Sequence, residues 1–321
     1  MTINQLVVIL PVYGDSEFLP EAWDSLKTQT DPDWQLLLAD DGCDAKAHAF
    51  IKSGPALDKR TTWIRRSKNL GLFANLNEVL GEYVSDWWLL LCSDDKLLPN
   101  AIANLRHLHE NWPQSQLIIS THLSINSNGD LRPSISSIYH DQLCKHTSLI
   151  PAQVFIPALL RLGSLNGNLT GMCFSGALWN SAGCFRADWR HAADWEWLIR
   201  ASEQGKVLFN RSPIAFVRTH DKQLSNSNRR SGDELKEIVV VQQLLLAHPL
   251  LQNESKRYKW AAHWLQFQLW NLFKQAATGH WQGFCTGLLE IHKSVGLWPV
   301  FIALLAWLPQ RLRALRGSSF L

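Results

Sequence analysis

The sequence predicts an α/β domain with a mostly parallel sheet flanked by helices, followed by a C-terminal helical region. Short apolar runs alternate with helical patterns from Leu6 to Glu110, which is the order expected of β-α-β units. The run Trp87–Leu91 is apolar throughout, as in a strand that is covered on both faces of a parallel sheet. From Ser231 onward, apolar residues instead repeat at helical spacing.

Length, charge and cysteine spacing limit the function classes. A chain of 321 residues is long enough for one large domain and an accessory region. The net charge of +3 is too small to argue for nucleic acid as a partner. The six cysteines include no CxxC pair, so they indicate neither a zinc site nor a disulfide framework. The N-terminal residues lack a signal-peptide pattern, and we expect a cytoplasmic location.

The first predicted unit is a strand, a loop and a helix. The strand covers Gln5–Leu10, and Pro11 and Gly14 punctuate the loop that follows it. Helical spacing of apolar residues predicts a helix over Phe18–Gln29, with Ser16 as its candidate cap.

The second strand, predicted over Trp34–Ala39, ends in paired carboxylates. Asp40 and Asp41 follow it directly, and Gly42 comes next. A carboxylate at the end of a parallel strand is placed to accept a hydrogen bond from an N–H group of a pyrimidine base. The alternative is a simple turn, since Asp-Gly is a strong turn dipeptide.

The third unit carries no phosphate-binding glycine motif. It consists of a strand over Thr62–Arg66 and a helix that Asn69 and Gly71 introduce and that runs to Val84. Neither a Walker loop nor a GxGxxG sequence follows any predicted strand, which disfavours nicotinamide-binding enzymes and simple nucleotide hydrolases. Asn69 and Gly71 remain candidates for shaping a loop beside a ligand.

The fourth strand delivers a second pair of carboxylates. Cys92, Ser93, Asp94 and Asp95 follow Trp87–Leu91, at the strand end where α/β sheets bind ligands. Adjacent carboxylates repel each other, so a hard divalent cation with phosphate oxygens is their natural partner. The alternative is a solvated turn whose aspartate caps the next predicted helix, Asn100–Glu110.

A further strand, a helix and two polar loops are predicted after residue 110. We predict a strand over Leu117–Thr121, a loop or hairpin over Ser124–Ser137, and a helix over Gln153–Leu162. Gly163–Thr170 is rich in Gly and Asn, and is expected to be a flexible connection of the kind that often carries binding specificity.

Asp194 opens an aromatic helix and is the candidate general base. Trp195 and Trp197 next to it are expected to raise its pKa, whereas the N-terminal helix dipole acts in the opposite direction. The alternative role is a helix N-cap. Glu196 is the rival carboxylate, but it points to a different side of the helix. Two short strands, Val207–Phe209 and Ile214–Arg218, come next.

Four segments in order carry a family resemblance. They are PVYGDSEFLPEAWDSLKTQT from Pro11, LLLADDGCD from Leu36, NLGLFANLN from Asn69 and LLLCSDDKLLP from Leu89. Together they resemble the inverting GT-A glycosyltransferases (family 2 type) of bacterial polysaccharide synthesis, from about Leu6 to about Ser225. The resemblance implies a Rossmann-like GT-A fold, a nucleotide-sugar donor and a divalent metal, Mn or Mg, held at a DxD-like motif.

The resemblance also assigns site residues. Asp194 precedes a Trp as the family's general base does. The implied nucleotide-sugar-binding set is Pro11, Tyr13, Asp40, Asp41, Asn69, Gly71, Ser93, Asp94 and Asp95, and the implied metal ligands are Asp94, Asp95 and His220. Arg218 and Lys222 beside His220 are candidates for offsetting phosphate charge.

The chain departs from the family pattern at two places. Cys92 stands where the family usually has Asp, and a thiol is a poor partner for a ribose hydroxyl or a hard metal. Ala74 and Asn75 stand where many members carry Arg, so a diphosphate contact is missing from the expected set.

The C-terminal region is predicted to be helical, with a domain boundary between residues 1–228 and 229–321. The four predicted helices are Asp233–Ala247, Ser255–Ala277, Trp281–Lys293 and Gly296–Arg316. Pro299–Leu308 is apolar but shorter than the roughly 20 residues of a membrane span. Flanking tryptophans and the arginines Arg311, Arg313 and Arg316 suit a membrane interface, and core packing is the alternative.

The sequence thus predicts a metal-dependent inverting glycosyltransferase of cell-surface polysaccharide or lipopolysaccharide synthesis. Its partners would be a nucleotide-sugar donor, a saccharide or lipid-linked acceptor, and the inner face of the plasma membrane as a peripheral contact, without nucleic acid. Two alternatives remain. Cys92 would suit an inactive nucleotide-binding homologue, and a nucleotidyltransferase uses similar acid clusters but has no need of Asp194.

Overall fold

The computed structural model describes residue 3 and residues 5–133, 135–166, 168–221, 223 and 233–317. These residues belong to two compact units. The first comprises Met1–Phe155 and Ser164–Gln223, and the second comprises Ile156–Gly163 and Leu224–Leu321. The first unit has the predicted α/β character and the second is helical, while the domain boundary predicted between residues 228 and 229 stays a prediction.

The first unit is built on one mixed sheet. Its described strands are β1 (Leu6–Gly14), β2 (Gln35–Cys43), β3 (Thr61–Arg65), β4 (Trp87–Leu90), β5 (Lys96–Leu97), β6 (Leu117–Ile125), β7 (Leu131–Arg132), β8 (Ser148–Ile150), β9 (Cys173–Ser175) and β10 (Val207–Arg218). They lie in the order β3-β2-β1-β4-β9-β6-β10-β5, with β7 beside β6 and β8 beside β10. The half formed by β3, β2, β1 and β4 is parallel, as predicted from its apolar strands.

Helices follow most of these strands. In the first unit they are α1 (Leu19–Lys27), α2 (Ala45–Ser53), α3 (Leu72–Glu82), α4 (Ala101–Asn111), α5 (Ile135–Leu143), α7 (Gly176–Ala182) and α8 (Ala193–Gln204), and α6 covers Ala152–Leu162. Val8 and Leu10 of β1 and Leu89 of β4 are fully buried in the main hydrophobic cluster. The apolar parts of the central strands are therefore buried, and the polar residues that follow them lie at one edge of the sheet.

Several local predictions were wrong. Phe18 occupies the N-cap position of α1 without a side-chain bond, and Ser16 Oγ instead donates to the carbonyl of Tyr13 at 3.3 Å. The two short strands predicted around Pro213 are one strand, β10. Its register with β6 is irregular between Asn210 and Ala215, because proline supplies no N–H group to a ladder.

Other differences concern the polar stretch after β6. The predicted hairpin is present, since Ile125 pairs with Leu131 across a turn in which Gly129 has a φ of +88°. The end of the stretch already belongs to α5 (Ile135–Leu143), which the sequence did not predict because the serines at its start resemble those of the preceding loop.

The second unit contains the helices α9 (Asp233–Ala247), α10 (Arg257–Ala277), α11 (Trp281–Val295) and α12 (Leu297–Gly317). Phe267 and Trp270 of α10 contact Trp307 of α12, with ring centroids 5.3 Å and 6.3 Å apart. Val300 and Leu304 of α12 are buried. Core packing therefore accounts for one side of the apolar C-terminal segment.

Among the helices of the described residues, none is by itself long and apolar enough to cross a membrane. The stretches Trp281–Val295 and Leu297–Pro309 meet the length and composition test only as a pair, with a bend of 102° between them.

Gly163 ends α6 in a position that requires glycine. Its φ is +89°, and a Cβ atom there would overlap the ring of Trp264. Gly279, which follows α10, has a similar φ of +87° but nothing within 4 Å of the added carbon. The two glycines therefore share the backbone strain and differ in the steric contact.

We predict that Gly163→Ala destabilises the protein more than Gly279→Ala. Both changes carry a backbone cost on the order of 1–3 kcal/mol, and only the first adds overpacking of about 1–3 kcal/mol. The free energy of unfolding from urea titrations followed by tryptophan fluorescence measures both. Equal losses would show that the contact with Trp264 relaxes without cost.

Candidate active site

The segment Cys92–Asp95 lies directly after β4, whose last residue is Leu90. Its main chain is joined to the segment Ser164–Met172, which we call the bridging loop. The N–H of Gly171 donates to the carbonyl of Leu90 at 3.0 Å, and the N–H of Cys92 donates to Thr170 Oγ1 at 2.9 Å. These bonds hold the acidic segment at the carboxyl end of the parallel half of the sheet, where ligands bind in such folds.

Asp95 is the buried carboxylate of this segment. Its Oδ1 accepts the N–H of Arg218 at 2.8 Å, and its Oδ2 accepts the hydroxyl of Thr170 at 2.5 Å. Burial and the neighbouring charge of Asp94 raise the pKa of Asp95 well above its usual range. Each oxygen already has a protein donor, so Asp95 joins β10 to the bridging loop in addition to being a candidate ligand.

Asp94 is the accessible carboxylate. About 29% of its side chain is exposed, and its Oδ2 lies 3.2 Å from Nε2 of His220. The His220 ring rests edge-on against Phe18, with centroids 5.1 Å apart. The structure therefore brings two of the three predicted metal ligands, Asp94 and His220, into direct contact.

Arg218 differs from its expected role at phosphate. Its side chain is fully buried. Its nitrogens donate to the carbonyl of Asp94 at 3.0 Å, to the carbonyls of Asn126 and Ser127, and to Glu21 at 2.8 Å. With its fork directed at protein oxygens, Arg218 supports the acidic segment from behind. Lys222 lies outside the described residues.

The donor set fits a divalent cation. Among the described residues, Cys92, Asp94 and Asp95 bring one ligand atom each within 4.8 Å of one another. Carboxylate oxygens suit Mg²⁺ or Mn²⁺, and a thiol favours the softer ions. Burial, together with the nearby carboxylates, raises the pKa of the Cys92 thiol, and its Sγ lies 3.6 Å from Asn168 Oδ1.

At the end of β2, both predicted base-reading carboxylates are buried and have main-chain partners. Asp40 Oδ1 accepts the N–H groups of Gly42 and Cys43, and its Oδ2 accepts Nε1 of Trp63 at 3.2 Å. Burial raises the pKa of Asp40, but the hydrogen bonds from Cys43 and Gly42 outweigh it, and the pKa is lowered overall. Asp40 is therefore held as a carboxylate.

Asp41 binds the loop that precedes α3. Its two oxygens accept the N–H groups of Leu70 and Gly71, each at 2.8 Å. Gly71 has a φ of +89° and donates to Asn69 Oδ1 as well. Asp41 and Gly71, two residues of the predicted donor-binding set, are thus in contact, and the visible role of Asp41 is to fix this loop.

The remaining predicted donor residues lie close by in the fold. Pro11 pairs with Ala39 between β1 and β2, and Tyr13 near the end of β1 is 61% exposed and lies over Gly42. An exposed tyrosine ring at a strand end offers a flat apolar face to a base. Ser93 is partly exposed between Cys92 and Asp94.

Asp194 is the second residue of α8 and is not its N-cap, a position that Ala192 occupies without a side-chain bond. Its Oδ2 accepts Nδ2 of Asn166 at 2.8 Å. Burial raises the pKa of Asp194, although the bond from Asn166 and the charge of His191 oppose the shift. A raised pKa is closer to neutral pH, where a carboxylate is most effective as a general base.

Glu196 has a structural role, as its predicted orientation suggested. It is buried and pairs with Arg200 at 2.7 Å and with Arg186 at 3.7 Å. The two guanidinium groups hold Glu196 in place, so Glu196 is occupied by ion pairs that Asp194 does not share.

The bridging loop was missed by sequence reasoning, which expected a flexible connection. Asn166 and Thr170 are buried and bind Asp194 and Asp95 respectively, while Asn168 faces Cys92. Polar residues at every second position, Asn166, Asn168 and Thr170, were the available signal. Four residues of chain span at most about 14 Å, so this loop sets an upper limit on the separation of its two anchoring residues.

Comparison with known proteins identifies the family. The model of the family described as "Glycosyl transferase family 2" matches residues 7–177, more than half of the chain. The chain belongs to glycosyl transferase family 2. This membership confirms the resemblance seen in the sequence, and the matched range includes both carboxylate pairs and the whole bridging loop.

A curated relative shares part of this family domain. An uncharacterized glycosyltransferase of Methanocaldococcus jannaschii is 28% identical over 126 residues, which are 39% of this chain and 43% of the relative. The match thus spans less than half of the relative's length.

Solved structures match a larger share of this chain than the curated relative does. TarS of S. aureus, residues 1–349 in complex with UDP-GlcNAc, has a TM-score of 0.66 at 13% identity and covers 91% of this chain and 81% of its own. Mannosyltransferase PcManGT of Pyrobaculum calidifontis, in complex with GDP-Man and Mn²⁺, has a TM-score of 0.54 at 14% identity and covers 94% and 86%. At these identities the likeness establishes the fold, which is the predicted one.

We predict that Asp94→Asn abolishes metal-dependent stabilisation of the protein, because it removes a full charge from a hard-cation site. Thermal unfolding with and without Mn²⁺, in the presence of UDP-GlcNAc or GDP-mannose, measures the effect by mass action. Asp86→Asn is the matched control, since Asp86 is exposed and precedes the opposite end of β4. An equal shift in wild type and Asp94→Asn would exclude Asp94 as a ligand.

Proposed function

We propose that this family 2 member transfers a sugar, with inversion, from a nucleotide diphosphate sugar to a hydroxyl group of a saccharide or lipid-linked saccharide. The observation that carries the proposal is the bridging loop, which hydrogen-bonds to Asp95 at one end and to Asp194 at the other. A donor site and a single candidate base are thereby attached to one short segment. The named complexes of TarS with UDP-GlcNAc and of PcManGT with GDP-Man support the donor class.

In the proposed reaction Asp194 accepts the proton of the acceptor hydroxyl. The hydroxyl oxygen forms a bond to the anomeric carbon as the bond from that carbon to the diphosphate oxygen breaks, and the nucleoside diphosphate departs with the electron pair. Because one base serves one displacement, the configuration at the anomeric carbon inverts. General-base catalysis of this kind contributes about 10²- to 10⁴-fold to the rate.

Asp94, with Asp95 and Cys92 beside it and His220 in contact with it, is proposed to hold a divalent cation, Mn or Mg. When bound, such an ion neutralises the charge that develops on the leaving diphosphate. Asp94 is the ligand with the most accessible oxygen, and Asp95 sets the loop conformation that presents it.

For the donor, we propose that Tyr13 and the loop ends around Asp40 and Asp41 form the nucleotide side of the site. The carboxylates are buried and bonded to main-chain N–H groups, so they stabilise the shape of the site, and the exposed Tyr13 ring offers a stacking face. Pro11, Asn69, Gly71 and Ser93 complete the proposed set. The proposed catalytic domain covers residues 1–228.

We predict that Asp194→Asn lowers turnover by about 10²- to 10⁴-fold while donor binding persists, because an amide cannot take up the proton. Release of nucleoside diphosphate from UDP- and GDP-sugars measures turnover, and thermal shift measures binding. Glu203→Gln, an exposed change on the same helix, is the control.

The products also separate the alternative functions. A nucleotidyltransferase would release pyrophosphate, and an inactive homologue would bind donor without releasing either product. Full turnover by Asp194→Asn would remove Asp194 from the mechanism.

We further propose that the C-terminal helical region, residues 229–321, docks on the anionic inner face of the plasma membrane, where a lipid-linked acceptor would be met during cell-surface polysaccharide synthesis. Trp298 is 70% exposed, and Ile302 and Leu305 on the same helix are about half exposed. Such residues enter the interfacial zone of a bilayer, where the transfer of aromatic and aliphatic side chains from water is favourable. The side chains of the arginines near the end of α12 lie outside the described part of the chain.

We predict that Trp298→Ser, Ile302→Ser and Leu305→Ser together lower binding to phosphatidylglycerol vesicles at least about tenfold, since full burial of one such side chain contributes about 1.5–3 kcal/mol. Co-sedimentation at low and high salt measures binding. A triple change of Leu57, Val84 and Leu131 to Ser, all exposed in the first unit, is the control. Equal binding by the two variants would exclude α12 as the docking surface.

Deletion of the segment from Leu297 onward would be a less specific test than these substitutions. The deletion would also remove Val300, Leu304 and the Trp307 contacts, which belong to the core of the helical unit. Substitution of the exposed side chains leaves that packing in place.

A further inference from the structure

Asn166 is a side-chain hydrogen-bond donor to the proposed base. Asn166 Nδ2 lies 2.8 Å from Asp194 Oδ2, and Asn166 is almost completely buried. An ionised carboxylate accepts hydrogen bonds and donates none, so the amide nitrogen must face it. The contact therefore fixes the position of one carboxylate oxygen of Asp194 relative to the amide.

The other end of the Asn166 amide is held as well. Its Oδ1 accepts the hydroxyl of Ser164, and its nitrogen lies 4.0 Å from the sulfur of Met172. Asn166 is thus fixed from within the bridging loop, and it does not depend on Asp194 for its orientation.

A buried histidine supports this part of the loop from behind. His140 Nε2 lies 3.0 Å from the carbonyl of Leu165, the residue before Asn166. Burial lowers the pKa of His140 to about 4, so the ring is neutral at ordinary pH and the nitrogen that faces the carbonyl carries the hydrogen. Asn166 therefore sits on a main chain that is anchored at its preceding peptide.

We propose that Asn166 is a positioning residue for the reaction, which orients the Asp194 carboxylate toward the acceptor hydroxyl through its Nδ2–Oδ2 hydrogen bond. This inference rests on the proposed function of Asp194 as the base. The contact favours the ionised form of Asp194 and limits rotation of its side chain. A base held at the productive angle avoids the loss of about 10²-fold that a 1 Å misplacement causes.

The same loop relates the base to the donor side. Thr170, four residues after Asn166, donates to Asp95, and Asn168 lies against Cys92. Positioning by Asn166 consequently relates the base to the segment that is proposed to hold the leaving diphosphate.

We predict that Asn166→Ala lowers kcat for release of nucleoside diphosphate, with water as the acceptor, by about 10- to 100-fold. The KM for the UDP- or GDP-sugar and the metal-dependent thermal shift should stay unchanged. Asn210→Ala is the matched control, since Asn210 is equally buried and hydrogen-bonded to Ser120 and Ser212 but belongs to no proposed site. Its kcat should equal that of wild type.

The pH profile separates positioning from general damage. Asn166 stabilises ionised Asp194, so its removal raises the pKa of the base, and the acid limb of kcat moves to higher pH. Groups that still act on Asp194 include His191 and the N–H groups of Asp194 and Trp195. A purely structural defect would lower kcat by the same factor at every pH and would overturn the inference.

A double-mutant cycle provides the decisive comparison. If Asn166 acts through Asp194, Asn166→Ala should cost nothing further in the Asp194→Asn background. An equal loss of rate in both backgrounds would overturn the proposal. Asn166→Asp keeps the shape of the side chain, and it carries the same test if the alanine variant unfolds, with a larger shift of the acid limb.

The outcomes distinguish this inference from the proposed function. Absence of nucleoside diphosphate release by wild type across the donor panel would count against the glycosyl transfer itself. Wild-type turnover with an Asn166→Ala variant of equal kcat would overturn the role of Asn166 alone.

Discussion

The Asp95 carboxylate is the contact on which the rest of the site depends. A buried carboxylate is stable only when hydrogen-bond donors or cations compensate for the water it has lost. The donors here are the main-chain N–H of Arg218 and the hydroxyl of Thr170. One side chain thereby joins three segments that are distant in sequence: the end of β4, the end of β10 and the bridging loop.

Arg218 extends this arrangement. Its main chain binds Asp95, and its guanidinium group binds the carbonyl of Asp94, the turn between β6 and β7, and Glu21 of α1. Thr219 and His220 follow Arg218 directly, and His220 therefore lies against Asp94. The accessible carboxylate and the histidine meet because an arginine and a buried aspartate behind them leave the chain little freedom.

The two pairs of aspartates at strand ends share one arrangement. At β2, Asp41 binds main-chain N–H groups of a neighbouring loop, and Asp40 binds those of its own turn. At β4, Asp95 binds inward while Asp94 is accessible. Carboxylates that are satisfied by main-chain donors give rigid loop ends, and a rigid frame of this kind would pre-organise the proposed donor site.

Sequence alone determined the features that depend on local pattern. Apolar runs placed β1 to β4, helical spacing placed the four C-terminal helices within about two residues at each end, and the motifs identified the family and the two acidic strand ends. Only the tertiary structure decided which oxygen of each carboxylate is used internally, that Arg218 faces protein rather than ligand, and that Asn166 and Thr170 link the acidic segment to Asp194. The physical reason is that burial and hydrogen-bond partners arise between residues far apart in the chain, such as Asp95 and Arg218, and no local spacing records them.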